Sequence, residues 1–432
     1  MNIKTSTLTV IIAIMCGVIL VYHFSVPIIA DSRWTIPTSL SIIEEGNIDL
    51  NEYGRLLKDN DFYQIENVNG HYFSRFPIGA SILALPLVFA FKLFSNLDET
   101  IRFEIPKYIE AYISSIFVAV TAVFIFLIAR LSIKKDLYAA LPALVFAFCT
   151  SAWSIAGLAL WQHSPSMMML TIALYLILLA DRRPEIVQYA SIPLAFSYVV
   201  RPTNSISIIL LTLFILMRYR SYIIRYFAWG LLVAVPFIIF NLQVYGALLS
   251  PYYQPGRLAS NKYFLEALAG NLVSPSRGLF VFSPVLLLAF LGVWLKIRDR
   301  QFERLDLFIA AIIVIHWITV SSFEPWWAGY TFGPRFFTDM LPYFIYFTIP
   351  VFAFITVKKS PWRPAVITGL VVLSLLSLFI QHRGATCEQV QEWNSHPQLN
   401  ENQERLWDWG EISFLSGIDH NLFNCRPDWH DP

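Results

Sequence analysis

The sequence is short of charge. Asp, Glu, Lys and Arg make up 14% of its 432 residues, against about 25% in soluble domains. That excludes a water-facing globule, because there is too little polar surface to cover one. The net charge is +1, which offers nothing to a nucleic-acid backbone. Four cysteines are too few for a disulfide-built scaffold. No Gly-rich phosphate loop follows a strand, and low-complexity tracts, linkers between soluble domains and a transporter-like internal repeat are all missing. Apolar residues fill the space instead: 56% are hydrophobic and 16% aromatic, and the mean hydropathy is +0.56. Trp and Tyr favour membrane interfaces, where one end of the ring is wet. Apolar runs of spanning length recur throughout, so the chain reads as an all-α, polytopic transmembrane bundle.

A helix needs roughly 20 apolar residues to cross the hydrocarbon, with about 17 as a lower limit. The first run, Leu8 to Ala30, is longer than a signal-peptide core of about 7–15 residues. It reads as a retained span with its Lys4 flank in the cytoplasm. Further spans are expected near 108–129, 137–157, 165–180, 187–200, 205–217, 227–245, 279–295, 307–322, 341–357 and 364–380, about eleven in all. One segment decides the map. Ile78–Phe94 is apolar but holds Pro86 and Lys92. If it crosses, the Lys and Arg clusters at 130–135, 182–183, 218–225, 296–304 and 358–363 all face outward. Short loops follow the positive-inside bias, so it is expected to lie on the membrane surface. The N-terminus is then inside and the C-terminus outside. The organisation is a bundle over 1–380, including a long outer loop 31–107 with interfacial helices, and a polar outer tail over 381–432. No cytoplasmic loop is long enough to fold a nucleotide-binding domain, so an activated substrate must come from the membrane or the outer compartment.

This topology gathers the unusual polar residues on the outer side. Asp31-Ser32-Arg33-Trp34 follows the first span, where a carboxylate either snorkels into water or serves a function. Arg75, in Arg75-Phe76-Pro77-Ile78-Gly79, reads as an interfacial anchor or as a headgroup ligand. His163 sits in a short turn, as a plain interfacial residue or a hydrogen-bond donor to substrate. Arg201-Pro202-Thr203-Asn204 places a permanent cation in an outer turn with no other base. Arg277 lies in Ser274-Pro275-Ser276-Arg277-Gly278. Trp326-Trp327-Ala328-Gly329-Tyr330-Thr331-Phe332-Gly333-Pro334-Arg335 reads as an aromatic belt, or as a sugar-stacking platform beside an anion clamp at Arg335. A carboxylate can act as general base on a hydroxyl, and guanidinium groups can stabilise charge growing on a departing phosphate. A donor built as sugar, phosphate and polyprenol suits such a site. Its lipid stays in the bilayer while the sugar reaches the outer pocket.

These residues resemble the GT-C superfamily of membrane glycosyltransferases, which use polyprenyl-phosphate-linked sugars. The likeness covers nearly the whole chain. It rests on Asp31 after the first span, the long outer loop, Arg-Phe-Pro-Ile-Gly at 75–79, Pro-Ser-Arg-Gly at 275–278, the run at 326–335, and Leu406-Trp407-Asp408-Trp409. It looks most like a bacterial multi-pass branch, which would set the chain in a cytoplasmic (inner) membrane. The resemblance implies a GT-C-like fold and an inverting transfer with Asp31 as the catalytic base. The acceptor could be a glycan, a lipid or a protein. Arg33, Arg75, His163, Arg201, Asn204, Arg277, Trp326, Trp327 and Arg335 are then expected on the substrate or its phosphate. Some relatives carry a second acidic residue, for which Glu44, Glu45, Asp59 and Asp61 are candidates. Some bind a divalent metal, but the sequence shows no ligand cluster for one, and no cofactor is expected. The alternative class is a transporter or flippase for a lipid-linked or anionic solute. Cys387 and Cys425 fall in the outer tail, where oxidation is permitted. They form either a disulfide or two free thiols, while Cys16 and Cys149 lie within spans.

Overall fold

The computed structural model describes residues 5–28, 31–59, 61–94, 107–254, 261–356 and 360–418, with Gly256 and Leu258 besides. Along the chain, helix α1 covers Thr5–His23, α2 Thr35–Glu44 and α3 Gly54–Asp59. Strands β1 (Ile65–Val68) and β2 (His71–Ser74) follow, then α4 (Gly79–Phe94), α5 (Lys107–Ser132), α6 (Asp136–Cys149), α7 (His163–Leu179) and α8 (Ser191–Val200). Next come α9 (Ser205–Arg218), α10 (Ile223–Tyr245), α11 (Phe264–Val273), α12 (Leu279–Phe282) and α13 (Leu288–Arg298). The chain continues with α14 (Arg304–Ser321), α15 (Leu341–Phe354), α16 (Arg363–Thr386) and α17 (Glu388–Glu392).

Every one of the eleven expected spans coincides with helix, and the chain is a multi-pass membrane protein. Six helical segments among the described residues are long and apolar enough to cross a bilayer. The rest are shorter or interrupted. The 279–295 run breaks at Ser283-Pro284, because Pro284 cannot donate a helical hydrogen bond. Ser377 Oγ accepts from the Val285 N–H (2.9 Å), and Gln381 donates to the Phe282 carbonyl (2.6 Å), so the freed backbone groups are satisfied without water. The first span is also shorter than expected. α1 ends at His23, so Asp31 lies several residues beyond the helix rather than at its tip.

The chain divides into two compact units. One comprises Met1–Val26, Val118–Leu158 and Gly256–Pro432; the other comprises Pro27–Phe117 and Ala159–Pro255. In the second, α4 packs on α2 and α8. Ser39 Oγ donates to the Ser81 carbonyl (2.9 Å), and Gly79 lets the two backbones touch. A Cβ there would come within 2.6 Å of the Val200 nitrogen. At 16 residues, α4 is too short to cross without tilt or thinning. Its far end leaves Leu93 and Phe94 exposed while Lys92 pairs with Glu44 (2.5 Å), a composition suited to an interface.

The segment between α3 and α4 is not helix. β1 and β2 form an antiparallel hairpin, with Val68 opposite His71, joined by Asn69-Gly70. Both residues have positive φ, the backbone that a two-residue hairpin turn requires. This one two-stranded ribbon sits in an otherwise helical chain, as the all-α reading expects. In the first unit, the described part of the segment after α16, residues 387–418, packs against the rest of the unit. Trp393, Leu399 and Leu406 pack with Trp326, Trp327 and Ala267 in one buried cluster.

Candidate functional site

In the unit that contains it, Asp31 opens a tight turn closed by Thr35 N–H on the Ser32 carbonyl (2.7 Å). The Tyr63 hydroxyl donates to its carboxylate (2.8 Å). Arg33 lies over the Phe62 ring, 4.6 Å from its centroid, and its Nε is buried without a hydrogen bond. Trp34, 1% exposed, anchors the turn between Phe62 and Tyr53. A carboxylate and a guanidinium are thus held on one short turn by aromatic packing.

His163 and Arg201 are brought together. The His163 ring lies 3.0 Å from Arg201 Nη1, while Arg201 Nε donates to Thr203 Oγ1 (3.0 Å). Both residues are buried, and so is Ser164 Oγ beside them, which has no hydrogen-bond partner. Arg201 ends α8 and His163 starts α7, so the pair is fixed by two helix ends. Asn204 turns inward. Its amide donates to Ser166 Oγ (2.8 Å) and to the Ser197 carbonyl (2.9 Å), which ties α7 to α8. Arg75 is exposed at the end of β2, beside Phe76, whose ring meets Tyr252 edge-on at 5.7 Å. Tyr252 in turn hydrogen-bonds Gln162 (3.2 Å), next to His163. The Pro251-Tyr252-Tyr253 turn was not singled out in the sequence, although adjacent Tyr residues in an outer loop are themselves an interface signal.

The other unit holds the remaining candidates, Arg277, Trp326, Trp327 and Arg335. Arg277 is 1% exposed and satisfied by protein. It donates to the carbonyls of Trp327 (2.7 Å), Ser276 (2.7 Å) and Gly329 (3.0 Å) and to Asn394 Oδ1 (2.6 Å). Burial lowers the guanidinium to about 9, so it stays charged at neutral pH. It is a tie between the 326–333 loop and the docked tail rather than an open phosphate ligand. The paired indoles are likewise not an open stacking platform. Trp326 is 1% exposed with its ring against Gly270, and Trp327 donates to Asn400 Oδ1 (3.0 Å). Arg335 does stay partly exposed at the start of a 3-10 turn, its N–H on the Gly333 carbonyl (3.0 Å).

Cys387 is buried and disulfide-bonded. Its expected partner Cys425 lies outside the described residues. Among the second-acid candidates, Glu44 is committed to Lys92, and the Asp59 side chain lies outside the described set. One acidic residue was missed. Glu110, in the first turn of α5, is 2% exposed and accepts from Ser32 Oγ (2.5 Å) and the Leu160 N–H (3.3 Å). The apolar run at 108–129 concealed it. No group of three His, Cys, Asp or Glu side chains among the described residues could hold a metal ion.

Comparison with models of known protein families and with curated proteins finds no match. Among solved structures, the fold is similar to that of ArnT from Cupriavidus metallidurans, determined bound to undecaprenyl phosphate. The TM-score is 0.54 at 12% identity, over 95% of this chain and 75% of that one. In fold, the chain is a multi-pass helical membrane protein built like ArnT.

Proposed function

We propose that the chain is an inverting glycosyltransferase. It moves a sugar from a polyprenyl-phosphate donor to an acceptor hydroxyl on the non-cytoplasmic face of a bacterial cytoplasmic membrane, with its N-terminus inside and C-terminus outside. The observation that carries this reading is the likeness, over 95% of the chain, to a fold solved with undecaprenyl phosphate. The Asp31 turn supports it, since it presents a carboxylate beside a guanidinium with an unbonded Nε. Fold likeness alone is an associational warrant, so the chemistry must stand on these residues.

In this reading the Asp31 carboxylate takes the proton of the acceptor hydroxyl as its oxygen attacks the anomeric carbon. The bond from that carbon to the phosphate oxygen breaks on the opposite face, which inverts the centre. The electron pair leaves with the polyprenyl phosphate. Arg33 and Arg201 are suited to stabilise the charge developing there, and Arg33 has a donor to spare. Tyr63 steadies the carboxylate by hydrogen-bonding one of its oxygens.

Asp31→Asn keeps the shape and removes the basicity. Base catalysis is typically worth about 100- to 10,000-fold, so transfer should fall by that factor while radiolabelled donor binding persists. Transfer by the Asn variant near the wild-type rate, at matched expression, would remove Asp31 from the role.

A further inference from the structure

Among the described residues of its unit, Glu110 is the one buried carboxylate that the mechanism above leaves unused, and it bonds to two separate segments. Through its Oε2 it accepts from Ser32 Oγ, the residue next to Asp31, and from the Leu160 N–H, three residues before His163. One helical turn further along α5, Ser114 Oγ donates to the Ala159 carbonyl (2.7 Å). Positions i and i+4 share a helix face, so one face of α5 grips the 159–160 backbone with a donor and an acceptor. Glu110 also holds the 31–34 turn through Ser32, and Tyr63 holds Asp31 itself.

A helix-start carboxylate is commonly explained by the helix dipole alone. That account needs no burial and no bond to a distant segment, yet Glu110 has both. Desolvating a carboxylate is costly unless it is hydrogen-bonded. Replacing it with an apolar residue would leave the Ser32 hydroxyl and the Leu160 N–H without their acceptor.

We propose that Glu110 is a positioning residue that registers the Asp31 turn against the His163 turn. It acts through hydrogen bonds to Ser32 and Leu160 and does not touch substrate. The proposal rests on the reading of Asp31 as the base. Misplacing a reacting group by about 1 Å can cost on the order of 100-fold in rate. Glu110→Ala should therefore lower kcat by roughly 10- to 100-fold, with KM for the lipid-linked donor unchanged. Glu110→Gln keeps a carbonyl oxygen that can accept both bonds, and should restore most of the rate.

The test combines turnover with hydrogen–deuterium exchange of the full-length protein in detergent. In Glu110→Ala, exchange should rise in peptides covering 31–35 and 158–163 together, with the Leu160 amide among them. In Ser32→Ala it should rise in the first peptide alone. Gln should protect both. Unchanged exchange at both segments in the Ala variant, or a Gln variant as slow and as unprotected as Ala, would overturn the proposal. The exchange arm does not depend on Asp31 being the base. If Asp31→Asn remains active while Glu110→Ala loosens both turns, the catalytic reading fails and the positioning stands.

Discussion

Replacing Arg277 by Met should undock the segment after α16. The guanidinium serves four acceptors: three carbonyls, of Ser276, Trp327 and Gly329, and the Asn394 side chain. Met fills comparable space but donates nothing. A buried polar group left without its partner costs about 1–3 kcal/mol, and water entering the gap will recover part of it. Only the bond to Asn394 reaches the tail itself, so the loss in docking is about 1–3 kcal/mol, or roughly 5- to 150-fold in the ratio of docked to open tail. Lys keeps the charge but gathers its donors at one point, so Arg277→Lys should fall between wild type and Met. The assay is limited proteolysis of the purified protein under native conditions. When opening is fast relative to cleavage, the cleavage rate tracks the open population. Cleavage between Glu392 and Ser416 should accelerate sharply in Arg277→Met. A rate within about threefold of wild type would refute the view that these bonds hold the tail.

Other outcomes are expected. Arg335→Lys should cut transfer at least about tenfold without unfolding the protein, because an ammonium lacks the planar fork that grips a phosphate bidentately. Wild-type transfer by the Lys variant would leave Arg335 an interface anchor. For topology, Lys134→Cys should resist a membrane-impermeant thiol reagent in intact spheroplasts, whereas Leu248→Cys should react; both positions are exposed. The reverse pattern would mean that α4 crosses the bilayer. Mass analysis of unreduced peptides should join Cys387 to Cys425, a bridge worth about 4 kcal/mol in the chain-entropy model. A different partner for Cys387 would exclude that pairing.

Helix was legible in the sequence because spanning runs are long and apolar, and every expected span met one. Interruptions were less visible. Ser283-Pro284 breaks a continuous apolar run, and only Ser377 and Gln381, far along the chain, make that break tolerable. The hairpin carried its signal in Asn69-Gly70, a residue pair suited to a two-residue turn, but its short strands lack clean alternation. At the site, sequence supplied the residue types but not their commitments. Arg277 and Arg335 look alike in the sequence, and only the structure separates them, Arg277 being buried and Arg335 partly exposed. The Trp326-Trp327 pair reads as a surface feature until Trp393, Leu399 and Leu406 cover it, residues scattered too irregularly among polar neighbours to announce a core. Glu110 was hidden for the opposite reason, as a single carboxylate inside an apolar window.

The docking of the tail also sets an order of events during synthesis. A chain is made from its N-terminus, and domains tend to fold as they emerge. The loop carrying Trp326 and Trp327 therefore emerges before the residues that bury it, and Arg277 before its Asn394 acceptor. Until residues 393–406 arrive, two indoles and a guanidinium wait uncovered, so the last-made stretch is the keystone of the first unit. A ribosome stalled just after α16 would hold an inserted bundle with an unfinished wall, which is a recognisable substrate for quality control.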